Sequence, residues 1–224
     1  EQETAGAIEA KENVYVPDLA KDILEQISFE ARENHFIDAK SGVSARLSIT
    51  AFENLLSTAE RRALRNGEEK TSVRLGDFVG IIPSITGKIE LVYEGEQEGV
   101  SQVAQQLIAD AVNTIFKEKF PKIEKLTKES DPDPYAEIVA WFFEENDFEL
   151  LDSYSDEEYK NELDRIMPLQ QLIEKYHPET SKKDSYFLKE VVLWALAENK
   201  KLSKFSVGNG LHFKDLYGSY ISGL

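Results

Sequence analysis

The sequence offers few residues that could perform acid–base or nucleophilic chemistry. It contains no cysteine, which excludes disulfide bonds, thiol catalysis and zinc sites with cysteine ligands. Its three histidines, His35, His177 and His212, lie far apart in the chain. None belongs to a His-x-x-x-His pair of the kind that binds catalytic zinc. We therefore interpret the histidines as surface or capping residues and expect no metal site.

Motifs for binding phosphate or activating a serine are also absent from the sequence. No Gly-x-x-x-x-Gly-Lys-Ser/Thr loop, Gly-x-Gly-x-x-Gly fingerprint or Gly-x-Ser-x-Gly elbow occurs. The acid pairs Glu144-Glu145 and Glu157-Glu158 lie in strongly charged surroundings, which favours a solvated helix face over a catalytic carboxylate dyad. We expect this chain by itself to have no complete catalytic site and to bind no cofactor.

The segment around Arg46 is the one place where residue types and spacing suggest a ligand site. Ser41-Gly42-Val43-Ser44-Ala45-Arg46 brings an arginine to the start of a predicted helix, directly after a glycine-containing turn. The amides at a helix N-terminus disfavour a cation, so an arginine there makes most sense beside a bound anion. Taken alone, the simpler interpretation is an ordinary surface arginine near a helix cap.

The elements that must position this segment are predicted to be mostly helices. Apolar residues recur at helical spacing in several stretches, and breakers or capping residues separate them. The predicted helices cover residues 17–34, 44 or 48 to 66, 96–120, 135–145, 155–176 with a break at Pro168, and 187–199. Residues 73–85 could form a short helix or a strand that ends at Pro83, and residues 88–94 a strand or connector. We expect a mainly α fold.

Two linkers divide the predicted helices into two domains. Residues 1–13 are polar and mixed in charge, and residues 129–134 contain two prolines that cannot continue a helix. The expected domains are therefore helical regions at 14–128 and 135–224. The chain opens without a methionine, so we expect it to be part of a longer polypeptide.

The net charge of −16, from 42 acidic and 26 basic residues, disfavours nucleic-acid binding. Residues 129–224 hold 20 acids and 10 bases, so the second domain is the more acidic. No apolar run approaches the roughly 18 residues needed to span a bilayer, and no signal peptide is evident. With the absence of cysteine, these features predict a cytoplasmic protein that binds neither nucleic acid nor membrane.

Three segments together resemble the small α-helical lid of AAA+ ATPases of the magnesium-chelatase I subunit and MoxR type. They are Ser28–Arg32, Ser41–Arg46 and Asn54–Ala63, and the following segment Val73–Val79 is similar to the next lid element. The resemblance covers about residues 14–120, and more loosely 135–220. It implies a helical lid bundle followed by a second helical extension.

In that family a Ser-x-Arg at a helix start carries the sensor-2 arginine, which reaches the γ-phosphate of ATP. By the match, Arg46 and Ser44 are the nucleotide-sensing residues. The resemblance further implies ATP and Mg²⁺ in the parent protein, other subunits of an ATPase ring as partners, and a von Willebrand A-domain partner protein. The parent would couple ATP hydrolysis to remodelling of a partner protein.

This chain departs from the family pattern in lacking the large nucleotide-binding domain with its phosphate loop and arginine finger. Residues 82–87 also lack the basic run of true chelatase lids, so porphyrin or metal insertion is not implied. A second hypothesis stays open, an all-helical interaction or adaptor module with no nucleotide role. It is favoured by the acidic second domain and by the aromatic stretch Trp141-Phe142-Phe143.

Overall fold

Helices dominate the computed structural model, which describes residues 13–41, 43–123, 133–144, 148–206 and 210–216. The chain divides into two units, Glu1–Ile115 and Phe116–Leu224, and each is described by itself below. In the described ranges, nine α-helices and one 3-10 helix accompany five short strands, which confirms the mainly α class. None of the helices found there is long and apolar enough to cross a membrane.

The first unit is built on two long helices and a set of short elements beside them. In chain order it contains β1 (Val14–Tyr15), α1 (Asp18–Glu33), α2 (Leu47–Arg65), β2 (Thr71–Ser72), a 3-10 helix (Leu75–Ile81), α3 (Ile82–Thr86), α4 (Tyr93–Glu98) and most of α5 (Val100–Lys119). Strands β1 and β2 pair in parallel over two residues each.

Helix α2 follows its predicted pattern closely. Its buried stripe consists of Leu47, Ala51, Leu55, Ala59 and Ala63, all at four-residue spacing. At its end, Gly67 adopts a φ of +71°, and the Glu68 amide donates to the Ala63 carbonyl at 2.9 Å. This is the left-handed ending that Asn66-Gly67 predicts, since glycine takes that conformation without a steric penalty.

Two boundaries in this unit differ from their predictions. Pro83 does not end residues 73–85, because it lies in the first turn of α3, where its missing amide hydrogen needs no partner. The helix predicted at residues 96–120 is divided at Gly99, whose φ of +99° separates α4 from α5. Residues 88–94 supply one antiparallel bridge, between Leu91 and Ile37, before α4 begins.

The second unit combines helices with a small sheet. It contains the last turn of α5, then α6 (Ala136–Glu144), β3 (Phe148–Leu151), α7 (Asp156–Arg165), α8 (Met167–Tyr176), α9 (Lys182–Glu198), β4 (Leu202–Ser206) and β5 (Gly210–Asp215). Helix α9 is buried on all sides from Ser185 to Leu196, so it forms the centre of this unit's core.

The three-stranded sheet corrects the expectation of a purely helical extension at 135–224. Its strand order is β3-β5-β4, with antiparallel pairs that include Leu150 opposite Leu211. Phe148 and Phe213 are buried on its inner face with ring centroids 6.2 Å apart. The sequence shows only short alternating patterns here, so pairing between distant segments decides the structure. Residues 207–209 and 217–224 lie outside the described residues.

Aromatic packing places the end of α5 in the second unit. Phe116 and Phe120 lie against Tyr135 and Tyr176 respectively, with ring centroids 5.8 and 6.3 Å apart. The Tyr135 hydroxyl donates to the Pro121 carbonyl at 2.5 Å. Of the expected linkers at 1–13 and 129–134, only residue 13 and residues 133–134 are described, so these domain limits stay predictions.

Candidate functional site

Arg46 lies at the N-terminal end of α2 with its side chain exposed. Its backbone amide donates to the Ser44 hydroxyl at 3.3 Å, and its carbonyl accepts from the Thr50 amide at 3.1 Å. Ser44 is also exposed. Among the described residues, the Arg46 guanidinium makes no hydrogen bond or ion pair. The backbone of this turn is therefore fixed while its charged group is available to a ligand.

The turn that carries Arg46 is held by the segment before α4. The Asp38 amide donates to the Glu90 carbonyl at 2.9 Å, and the Ser44 amide reaches the Lys88 carbonyl at 3.5 Å. The Ser41 hydroxyl lies 2.5 Å from a Glu90 carboxylate oxygen. These bonds hold Asp38, Ser41 and Ser44, which precede α2, against residues 88–90.

The other sequence candidates do not come together into a site. His35 is exposed beside Phe36, while His177 contacts the Lys119 carbonyl at 2.9 Å and His212 lies on β5. Across the described ranges, no group of three or more His, Asp or Glu side chains is placed to hold a metal ion.

The acid pairs lie on helix surfaces where they are described. Glu157 is exposed, and Glu158 closes a capping box at the start of α7 by accepting from the Ser155 amide at 2.8 Å. Glu144 is exposed at the end of α6, and Glu145 lies outside the described residues. Glu158 therefore has a structural role at the start of its helix.

A buried arginine that the sequence analysis did not single out forms the strongest polar cluster of the first unit. Arg62 and Asp77 are 4% and 3% exposed and make a two-pronged ion pair, with Nε–Oδ1 and Nη2–Oδ2 distances of 2.9 Å. Arg62 also donates to the Thr71 hydroxyl at 3.0 Å and to the Ser72 carbonyl at 2.8 Å. We call these four residues the Arg62 hub.

A second unpredicted cluster lies in the second unit, on α7 and α9. The Lys189 ammonium is fully buried and donates to Asp164 at 2.6 Å. The Tyr186 hydroxyl donates to the other Asp164 oxygen at 2.9 Å. Burial, and then the hydrogen bond to Asp164, raise the pKa of Tyr186 to about 12. The cluster joins two helices and has the character of a structural clamp.

A common sequence signal could have revealed both clusters. Arg62 lies three residues after Ala59 on the buried stripe of α2, and Lys189 lies four residues before Leu193 within the buried part of α9. A charged residue at a core position of a helix indicates a buried, paired charge.

No known protein family, curated protein or solved structure matches this chain. The family resemblance therefore depends on the quoted segments around Arg46 alone.

Proposed function

We propose that this chain is the helical lid and C-terminal extension of an AAA+ ATPase of the magnesium-chelatase I and MoxR type. In this proposal, Arg46 contacts the γ-phosphate of ATP and the Ser44 hydroxyl fixes the turn that carries it. The observation that carries the proposal is the exposed Arg46 guanidinium at the positive end of a fixed 19-residue helix. An anion at that position gains both the arginine and the helix amides as partners.

The contact would act as a sensor because it exists only while the triphosphate is present. A guanidinium binds phosphate oxygens through charge-assisted hydrogen bonds in a planar, two-pronged geometry. Loss of the γ-phosphate removes those bonds and favours a different lid position. During hydrolysis the same charge would stabilise the negative oxygens of the transition state.

This chain would supply only Arg46 to the nucleotide, with Ser44 holding the turn that carries it. The phosphate loop and the ligands of Mg²⁺ would belong to a nucleotide-binding domain elsewhere in the parent protein, which we propose to be a ring-forming cytoplasmic ATPase. By the same family resemblance, its partners would be neighbouring ring subunits and a von Willebrand A-domain protein, with remodelling of a partner protein as the result.

The test is substitution of Arg46 in the complete parent polypeptide. Arg46→Ala removes a charged hydrogen bond that contributes about 1.5–3 kcal/mol, so ATP turnover or affinity should fall roughly ten- to a hundredfold. Arg46→Lys should restore little, because an ammonium lacks the planar fork. ATPase rates, nucleotide affinity by calorimetry and melting temperatures are measured for each variant.

Arg61→Ala is the matched control, since Arg61 is an exposed arginine on the same helix. It should change rate and affinity by less than about twofold, as expected for an isolated surface charge. If Arg46→Ala behaves like Arg61→Ala, Arg46 is an ordinary surface residue and the sensor role is refuted.

The exposed Phe143 on α6 favours the second candidate, an interaction module without a nucleotide role. Its side chain is 64% exposed in the acidic half of the chain, where a partner could cover it. Loss of ATPase activity on substitution of Arg46 would contradict this alternative.

A further inference from the structure

The first unit contains a very short strand pair, in which β1 and β2 match over only two residues each. The Thr71 amide donates to the Asn13 carbonyl, and the Val73 amide to the Tyr15 carbonyl, both at 2.9 Å. A two-stranded pair of two residues has little stability of its own. Other contacts must therefore hold β2 in place.

The Arg62 hub provides such contacts from α2. Both residues of β2 accept hydrogen bonds from the one guanidinium, Thr71 through its hydroxyl and Ser72 through its carbonyl. Asp77 fixes the plane of the guanidinium from the 3-10 helix, and its second oxygen also accepts from the Arg74 amide at 2.8 Å. The direction of β2 is thus linked to the orientation of α2.

Arg46 lies at the opposite end of the same helix. Arg62 lies sixteen positions after Arg46, which corresponds to about 24 Å at 1.5 Å per residue. The helix is continuous over this length and buries one stripe along it. A continuous helix of this kind can transmit a displacement from one end to the other.

We propose that Arg62 is a positioning residue that couples the β1–β2 pair to Arg46 through α2. The inference rests on the proposed sensor function of Arg46. Stability alone does not explain the hub, because a buried ion pair is often replaced by apolar residues without loss of stability. A five-donor planar fork fixes direction, which an apolar contact or a lysine does not. Nucleotide contact at Arg46 then biases the position of β2 and of its partner strand β1.

The first experiment uses the present chain and compares it with the double variant Arg62→Met, Asp77→Leu by hydrogen exchange. The Thr71 and Val73 amides should lose protection by about tenfold, the change expected when one or two hydrogen bonds are lost. Amides in the middle of α2 should keep their protection from exchange. Arg61→Met is the control and should leave all these amides unchanged. Equal protection of Thr71 and Val73 in the folded double variant would refute the coupling.

If the double variant does not fold, Thr71→Val decides the question. It removes one acceptor of Arg62 and keeps the shape of the side chain, so the Thr71 and Val73 positions should exchange several-fold faster. Unchanged exchange in this variant would refute the inference.

The second experiment uses the complete polypeptide with a non-hydrolysable ATP analogue at saturation. Nucleotide should change the protection of Thr71 and Val73 in the wild type but not in the Arg62→Met, Asp77→Leu variant. If Arg46→Ala does not alter ATP turnover or affinity, the proposed function fails. Arg46→Ala could instead alter ATP turnover or affinity while nucleotide changes the protection of Thr71 and Val73 equally in the wild type and in the Arg62→Met, Asp77→Leu variant. In that case only the coupling fails.

Discussion

The ion pair between Lys189 and Asp164 permits a test in which two substitutions at one contact differ strongly in their effect on stability. Lys189 is 0% exposed, whereas its partner Asp164 is 47% exposed. Asp164→Asn keeps the size of the side chain but leaves the buried ammonium without its counter-charge. Lys189→Met removes the buried charge and keeps an unbranched chain of similar length. We expect the first substitution to be far more damaging than the second.

The expected magnitudes follow from burial. Removing one partner of a buried ion pair destabilises a protein by about 3–5 kcal/mol. Water can partly replace the half-exposed Asp164 carboxylate, so we expect the lower end, about 3 kcal/mol for Asp164→Asn. For Lys189→Met the lost attraction is offset by the removed desolvation penalty, and we expect a change of about 1 kcal/mol or less.

Tryptophan fluorescence isolates the relevant unit, since both tryptophans, Trp141 and Trp194, lie in Phe116–Leu224. Urea unfolding is followed at the tryptophan emission. With an m-value of about 1.5 kcal/mol per molar urea, Asp164→Asn should lower the midpoint by about 2 M. Lys189→Met should lower it by less than about 0.7 M on the same scale.

Lys182→Met is the matched control, an exposed lysine at the start of the same helix, and should change stability by no more than about 0.5 kcal/mol. The reasoning is wrong if Asp164→Asn and Lys189→Met shift the midpoint equally. It is also wrong if Asp164→Asn behaves like the Lys182 control.

Two further predictions concern pH and proteolysis. The pKa of Tyr186 is raised from 10.0 to about 12, so its neutral form is favoured in the folded state and stability should fall as the pH rises from about 10 to 12. Tyr186→Phe should make that loss shallower, as measured by urea midpoints at pH 9 to 11.5. Limited proteolysis should cut first between Lys128 and Tyr135, because two prolines leave that stretch few groups able to pack. Mass spectrometry should place the first cut there, whereas resistance of this stretch would contradict the predicted linker.

The features that the sequence predicts well are those fixed by neighbouring residues. Ser155 and Glu158 form their capping box because the two side chains meet within one helical turn. Gly67 ends α2 because only glycine adopts its φ without strain. In the same way, the position of Arg46 at the start of α2 is predicted from the turn that precedes it in the sequence. The local geometry of Arg46 is thus predictable, while its ligand is not.

The sheet of the second unit is not predictable in this way. Strands β3 and β5 are separated by more than fifty residues, and three helices lie between them in the chain. At Gly210 the two strands approach so closely that a Cβ atom would lie 2.7 Å from the Leu150 carbonyl oxygen. The residues next to Gly210 in the sequence do not indicate this close approach. Such pairing depends on tertiary packing and not on intrinsic strand preference.

Arg46 and Arg62 lie near opposite ends of α2 and have different surroundings. The donors of Arg62 are used by Asp77, Thr71 and Ser72 in a buried setting, so its partners within the fold explain its presence. Arg46 instead lies at the helix end where the macrodipole opposes a cation by about 0.3–1 kcal/mol. The Arg46 guanidinium makes no hydrogen bond or ion pair with another described residue that would offset that penalty. An anionic ligand would offset it, which is why exposure and an unfavourable field together make Arg46, and not the better-bonded Arg62, the candidate for phosphate recognition.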